Sequence, residues 1–227
     1  MTQPLRLIVF DVDGTLVDSQ ADILAAMTYA FGAVGLPVAS REEILGIVGL
    51  SLDVAMERLA PIHDASTRAE MVAAYKNAYA TLRAQSDVAE TSPFYPHARI
   101  TLDQLAKTPE NILGVATGKS RRGLDALLDG HGLSGFFTTE QVADHHPSKP
   151  HPSMLHAAMQ ETGTEPANAV MIGDTAYDMQ MARAAGMRSI GVSWGYHPPE
   201  AMHEADHMVH DFRDLIAVLD SLWGSDR

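Results

Sequence analysis

The chain has 227 residues, 46% hydrophobic and 20% charged, which excludes wholesale disorder and suffices to bury a core without covalent staples. Sixteen Lys and Arg face 29 Asp and Glu, a formal charge of −13, and an acidic surface of that kind argues against nucleic-acid binding. The absence of cysteine excludes disulfides, thiolate zinc centres and cysteine nucleophiles. The apolar run Leu7 to Phe10 is cut short by Asp11, so neither a signal peptide nor a membrane span is expected, and the expected setting is the cytoplasm.

Leu5 to Phe10 reads as a buried strand running into a tight turn at Asp11-Val12-Asp13-Gly14-Thr15. The next segment changes character. Ile23, Leu24, Met27, Phe31 and Val34 recur at helical spacing. Ser19 with Asp22 three residues on is a candidate N-terminal cap, and Pro37 a candidate stop. Ile44, Leu45, Val48, Leu52 and Met56 make a second helical stripe, and Arg68 to Arg83 a third helix. Ser92-Pro93-Phe94-Tyr95-Pro96 reads as a hinge segment. Strands then return at Asn111 to Thr117, Ala169 to Gly173 and Arg188 to Val192. Helical stretches lie between them, at Arg121 to Leu128, Met154 to Met159 and Ala176 to Ala185, each with a glycine near its end. A short edge strand near His207 to His210 and a helix over Phe212 to Trp223 close the chain. The fold class is α/β: a Rossmann-like parallel sheet core with helices on both faces, from residues 1–16 and 91–227, with an all-helical domain inserted at 17–90.

Chemistry collects at the strand ends, where open parallel sheets bind their ligands. Asp11 and Asp13 follow the first strand, Gly14 permits close backbone approach, and paired carboxylates suit a hard cation such as Mg2+. Thr117 and Gly118 follow the second strand, where the hydroxyl could equally be a helix cap. Lys149 lies in a loop restrained by Pro147 and Pro150. Asp174 ends a further strand, and Asp178 follows one helical turn later.

In this order and spacing, Asp11-Val12-Asp13-Gly14-Thr15-Leu16-Val17-Asp18-Ser19, Thr117, Lys149 and Gly173-Asp174-Thr175 through Asp178 resemble the motifs of the haloacid dehalogenase superfamily, in its phosphatase branch. The nearest likeness is to phosphoglycolate phosphatase-like members. The resemblance implies that 17–90 is a helical cap. It implies Asp11 as nucleophile and Asp13 as general acid and base. Mg2+ would be held by Asp11, the Asp13 backbone carbonyl and Asp174, with Asp178 supporting the metal. Thr117, Gly118, Gly14 and Lys149 would surround the phosphate. Gly49 and Ser51 of the cap are the candidates for touching the leaving group, or else they break and restart a helix. Asp13 argues for phosphate chemistry, since family members that cleave carbon–halogen bonds lack the acid there. A sugar-phosphate mutase would keep all four stations. A phosphoacceptor switch would use a similar pocket, but without a helical insertion.

Other patterns carry less. Gly114 to Ser120 has only three residues between its glycines, one fewer than a nucleotide-binding P-loop needs. His203-Glu204-Ala205-Asp206-His207 matches a zinc-protease pattern but lacks a convincing helix to align its histidines. His145, His146, His151 and His156 read as polar neighbours of Lys149. Lys119 reads as a rim or solvent-exposed charge. Met171, Met179, Met181 and Met187 read as core, and Trp194 and Tyr196 as packing or pocket lining. The expected partner is a small phosphorylated metabolite; the sequence does not specify an oligomeric state.

Overall fold

A computed structural model describes residues 4–85 and 87–224. β1 (Arg6–Phe10) leads into α1 (Gln20–Ala33), α2 (Arg41–Leu45), α3 (Leu52–Leu59), α4 (Ala65–Gln85) and α5 (Val88–Thr91). The chain then runs α6 (Ala98–Leu105), β2 (Asn111–Thr117), α7 (Arg121–Gly130), β3 (Thr139–Val142) and α8 (Ser153–Thr162). It ends with β4 (Ala169–Gly173), α9 (Ala176–Ala184), β5 (Arg188–Val192), β6 (His207–Val209) and α10 (Leu215–Trp223).

The six strands form one sheet in the order β3-β2-β1-β4-β5-β6, parallel throughout. β1 lies between β2 and β4, with Phe10 paired to Val115 on one side and Ile172 on the other. Alternation along β1 divides the core. Ile8 and Phe10 pack with Leu102, Leu124 and Leu219, while Leu7 and Val9 pack with Leu155 and Met181. Both faces are therefore dry, which is why the central strands read as continuous apolar runs. Met171, Met179, Met181 and Met187 are all buried. No helix among the described residues is long and apolar enough to cross a membrane.

The helical block has an apolar cluster of its own, built on Ile23, Met27, Phe31, Ile44, Met56 and Met71. Burying each such side chain contributes about 1.5–3 kcal/mol, so the block holds together by its own packing. Its chain ends lie side by side: Asp18 N donates to Pro93 O at 2.9 Å and Tyr95 N to Leu16 O at 3.0 Å.

Several local expectations are corrected. Ser19 stands at the N-cap of α1 but makes no side-chain cap bond; its hydroxyl donates to Asp13 instead. α1 stops at Ala33, ahead of Gly35 in the left-handed region at φ 71°, so the glycine terminates it before Pro37. The second stripe is two short helices. Ser40 and Glu43 form a reciprocal cap on α2, and a turn containing Gly49 at φ 98° separates α2 from α3. α6 and β3 are additional elements. Residues Pro199–Met202 form a 3-10 turn and His207 opens β6, so His203 and His207 share no helical face and the zinc-protease pattern dissolves.

Candidate active site

Asp11 leaves the end of β1, its amide donating to Ile172 O of β4 at 2.8 Å. The chain then doubles back through Gly14, whose amide donates to Val17 O at 2.9 Å. Gly14 has φ 85°, and a Cβ there would stand 2.2 Å from Asp174 Oδ2. Only glycine fits. Because its N–H is used within the turn, Gly14 shapes the site rather than offering its amide to a ligand. Asp174, at the end of β4, accepts from Thr15 Oγ1 at 2.8 Å and from Tyr196 N at 2.8 Å.

Asp178 sits in the first turn of α9, where Thr175 and Asp178 cap one another reciprocally. Lys149 bridges the group. Its ammonium lies 2.9 Å from Asp11 Oδ1 and 2.7 Å from Asp178 Oδ1, with no exposed side-chain surface. Lys149 lies in the loop ahead of α8, which begins at Ser153. Asp11, Asp174 and Asp178 each bring one carboxylate oxygen within 4.8 Å of the others.

Three buried carboxylates thus face a single ammonium. Burial, opposed by Lys149 and reinforced by Asp178, raises Asp11 to about 7. Burial, then Asp11 and Asp178, push Asp174 well up. Burial alone would lower Lys149, but Asp11 and Asp178 outweigh it and hold the ammonium above its usual value. Among the described residues Asp11 Oδ2 is buried without a hydrogen-bond partner. An all-oxygen donor set with surplus negative charge and an unpartnered oxygen fits a hard divalent cation.

Asp13 is turned away from this cluster. Its Oδ1 accepts from Ser19 Oγ and lies 2.7 Å from Lys119 Nζ. Thr117 is buried at the end of β2 and accepts from Lys119 N at 3.2 Å. The cap of α7 is Ser120, which accepts from Gly123 N at 3.2 Å, so Thr117 is not a helix cap. Gly118 packs against the helical block so closely that a Cβ would lie 2.7 Å from the carbonyl oxygens of Gly49 and Leu50. The loop carrying them is also held by Ser51 N on Ser148 Oγ at 2.9 Å and by Tyr177 Oη on Gly46 O at 2.9 Å.

Between block and core remains a cavity of about 820 Å3. Asp11, Asp13, Thr117, Gly118, Lys119, Gly49 and Ser51 line it. Ile23, Met27, Leu50, Tyr75, Tyr79 and Arg83 complete much of its wall. Lys119 is the main departure from the sequence reading: its side chain is 8% exposed and paired, not free at a rim. Thr15, Ser19 and Tyr79 also enter the network unforeseen, while Tyr196, read as packing or pocket lining, donates its amide to Asp174 and accepts from Ser19 N on its hydroxyl. The signal for Ser19 and Thr15 was present, since both lie inside the first motif. His146 makes structural contacts, with Nδ1 2.8 Å from Ser153 Oγ and Nε2 2.9 Å from Gln141 Oε1. Among the described residues none of the histidines around Lys149 joins a metal-like cluster.

β1 and β4 each lead into a buried carboxylate, Asp11 and Asp174, and the buried Lys149 bridges Asp11 to Asp178. A family model described as haloacid dehalogenase-like hydrolase matches residues 8–192. The chain belongs to that family, and it is an enzyme. Among its relatives, the "Probable phosphatase IndB" of Dickeya dadantii is 35% identical over 222 residues, covering 95% of this chain and 94% of that one. The phosphoglycolate phosphatase of Escherichia coli K12 is 30% identical over 238 residues, covering 96% and 93%. The crystal structure of a predicted phosphoglycolate phosphatase from Haemophilus somnus superposes with a TM-score of 0.83 at 26% identity, covering 96% and 99%.

Proposed function

We propose that this enzyme, a phosphatase of the haloacid dehalogenase-like family, hydrolyses a small phosphomonoester in two steps through Asp11, with Mg2+ as cofactor. The observation that carries the reading is Lys149, fully buried between Asp11 and Asp178, beside the unpartnered Asp11 Oδ2. Asp11 Oδ2 attacks phosphorus, the ester P–O bond breaks, and Asp13 protonates the leaving oxygen. Water then attacks the aspartyl-phosphate, gives its proton to Asp13 and releases phosphate and Asp11. Thr117 and the amide of Gly118 hold the phosphoryl oxygens, and Lys149 offsets their charge.

Asp11, Asp174 and the Asp13 carbonyl would hold Mg2+, with Asp178 supporting them. The ion would supply the positive charge that lets a phosphate dianion approach three carboxylates. Residues 17–90 act as the cap that covers the reaction. The setting we propose is the cytoplasm, where phosphorylated metabolites are made.

The first candidate substrate is 2-phosphoglycolate, following the name of the Escherichia coli relative. A second reading rests on the cavity. A two-carbon acid occupies little of about 820 Å3, which favours a bulkier leaving group such as the sugar of a sugar phosphate or the nucleoside of a nucleotide. A mutase keeps the same core chemistry. The test is phosphate release from phosphoglycolate, sugar phosphates, nucleotides and pyrophosphate, with Mg2+ and with excess chelator. Metal-dependent release supports the hydrolase, and the kcat/KM ranking names the leaving group. A folded protein that releases nothing while isomerising a sugar phosphate supports a mutase; one that only retains the phosphoryl group supports a phosphoacceptor switch.

A further inference from the structure

Lys119 is a buried cation that the mechanism above does not use. Its ammonium lies 2.7 Å from Asp13 Oδ1 and 3.0 Å from the Tyr79 hydroxyl of α4. Asp13 Oδ1 also accepts from Ser19 Oγ. One oxygen of Asp13 is thus tied twice, while Oδ2 takes no hydrogen bond among the described residues and Asp13 lines the cavity. Tyr79 is itself fixed. Arg83 Nη2 donates to its hydroxyl at 2.8 Å and to Ser92 Oγ at 2.9 Å, next to the segment where the block rejoins the core.

We infer that Lys119, held by Tyr79 from the helical block, is a positioning residue that orients Asp13 for proton transfer. The inference rests on the proposed role of Asp13 as general acid and base. A carboxylate on a free side chain samples several rotamers. Clamping Oδ1 from two sides leaves Oδ2 as the oxygen presented to the leaving group. Because Tyr79 belongs to the block and Lys119 to the core, the clamp is complete only when the block is seated. A solvated lysine would show none of this burial. A phosphate-binding lysine, the alternative suggested by Thr117 two residues away, would aid every phosphate ester alike.

That difference is measurable with substituted phenyl phosphates. p-Nitrophenoxide leaves without a proton, whereas unsubstituted phenoxide benefits from one. Lys119→Met should lower kcat/KM about 10-fold for phenyl phosphate and less than about 3-fold for p-nitrophenyl phosphate, steepening the dependence on leaving group. Lys119→Arg should restore most of the loss. Tyr79→Phe should show the same selective pattern, more weakly. Equal losses for both esters in Lys119→Met, or none, would overturn the inference. Asp13→Asn separates the two readings. If it shows no selective loss, the proton-transfer role of Asp13 fails; if it does and Lys119→Met does not, only the positioning role fails. Should Lys119→Met not fold, Lys119→Arg and Tyr79→Phe carry the comparison, and wild-type behaviour in Tyr79→Phe then overturns it.

Discussion

A methyl group at position 118 has nowhere to go while the block is seated. It would meet the carbonyl oxygens of Gly49 and Leu50 at 2.7 Å, and ordinary contact begins near 3.4 Å. Both obstacles are backbone, so in Gly118→Ala the loop must retreat by the difference, about 0.7 Å. That retreat stretches the Ser51 N to Ser148 Oγ bond, now 2.9 Å, beyond the useful range of about 2.7–3.2 Å. Losing one such bond costs about 1 kcal/mol, and a misplacement approaching 1 Å at a reacting site costs up to about 100-fold in rate. Gly118→Ala should therefore lower kcat/KM about 10- to 100-fold, measured by phosphate release. Movement of the block relieves the clash without disturbing the sheet, so the melting temperature should change by only about 2–4 °C. Wild-type kcat/KM would refute the argument. A fall in melting temperature beyond about 10 °C would show that the core, not the block, absorbs the methyl group.

Asp11→Asn should abolish turnover while the melting temperature holds or rises, because it removes a negative charge from an overcrowded buried cluster; activity above about 1% of wild type would sink the nucleophile assignment. Mg2+ at about 100-fold its Kd should stabilise the protein by about 2.7 kcal/mol, a rise of about 5–10 °C by differential scanning calorimetry. Asp174→Asn should lose most of that rise. Burial, ahead of the Arg83 and Arg99 charges and against the Ser92 carbonyl bond, holds His131 below its ordinary 6.5. The unfolded chain then binds that proton more readily, so the contribution is full above pH 6.5 and fades as pH falls toward the folded value. Urea unfolding at pH 7.5 and 5 should show a smaller difference for His131→Gln than for wild type.

The strands that flank the site were legible because both sheet faces are buried, which leaves Leu7 to Phe10 and Val170 to Ile172 with no polar interruption. β3 was not, because its Thr139, Glu140 and Gln141 bond to Glu161, Arg121 and His146 instead of filling an apolar layer. Ser19 and Asp22 carry the right residue types for a cap, but tertiary partners took them: Asp13 for the hydroxyl, and Arg83 for the carboxylate at 3.4 Å. Lys119 was illegible for a different reason. Its tyrosine partner lies 40 positions away on a helix whose seating no local pattern encodes. Asp11, Asp174 and Lys149 were readable because each directly follows a strand or sits in a proline-bounded loop.

The hydrogen bonds joining 16–18 to 93–95 mean that the helical block enters and leaves the sheet domain through one doorway. To the sheet, the block is a closed loop, so its length and content can change at the small entropic cost of loop extension. A different block could therefore be carried at this doorway without moving a strand, changing the cavity wall that the block supplies while the carboxylates at the strand ends keep their places.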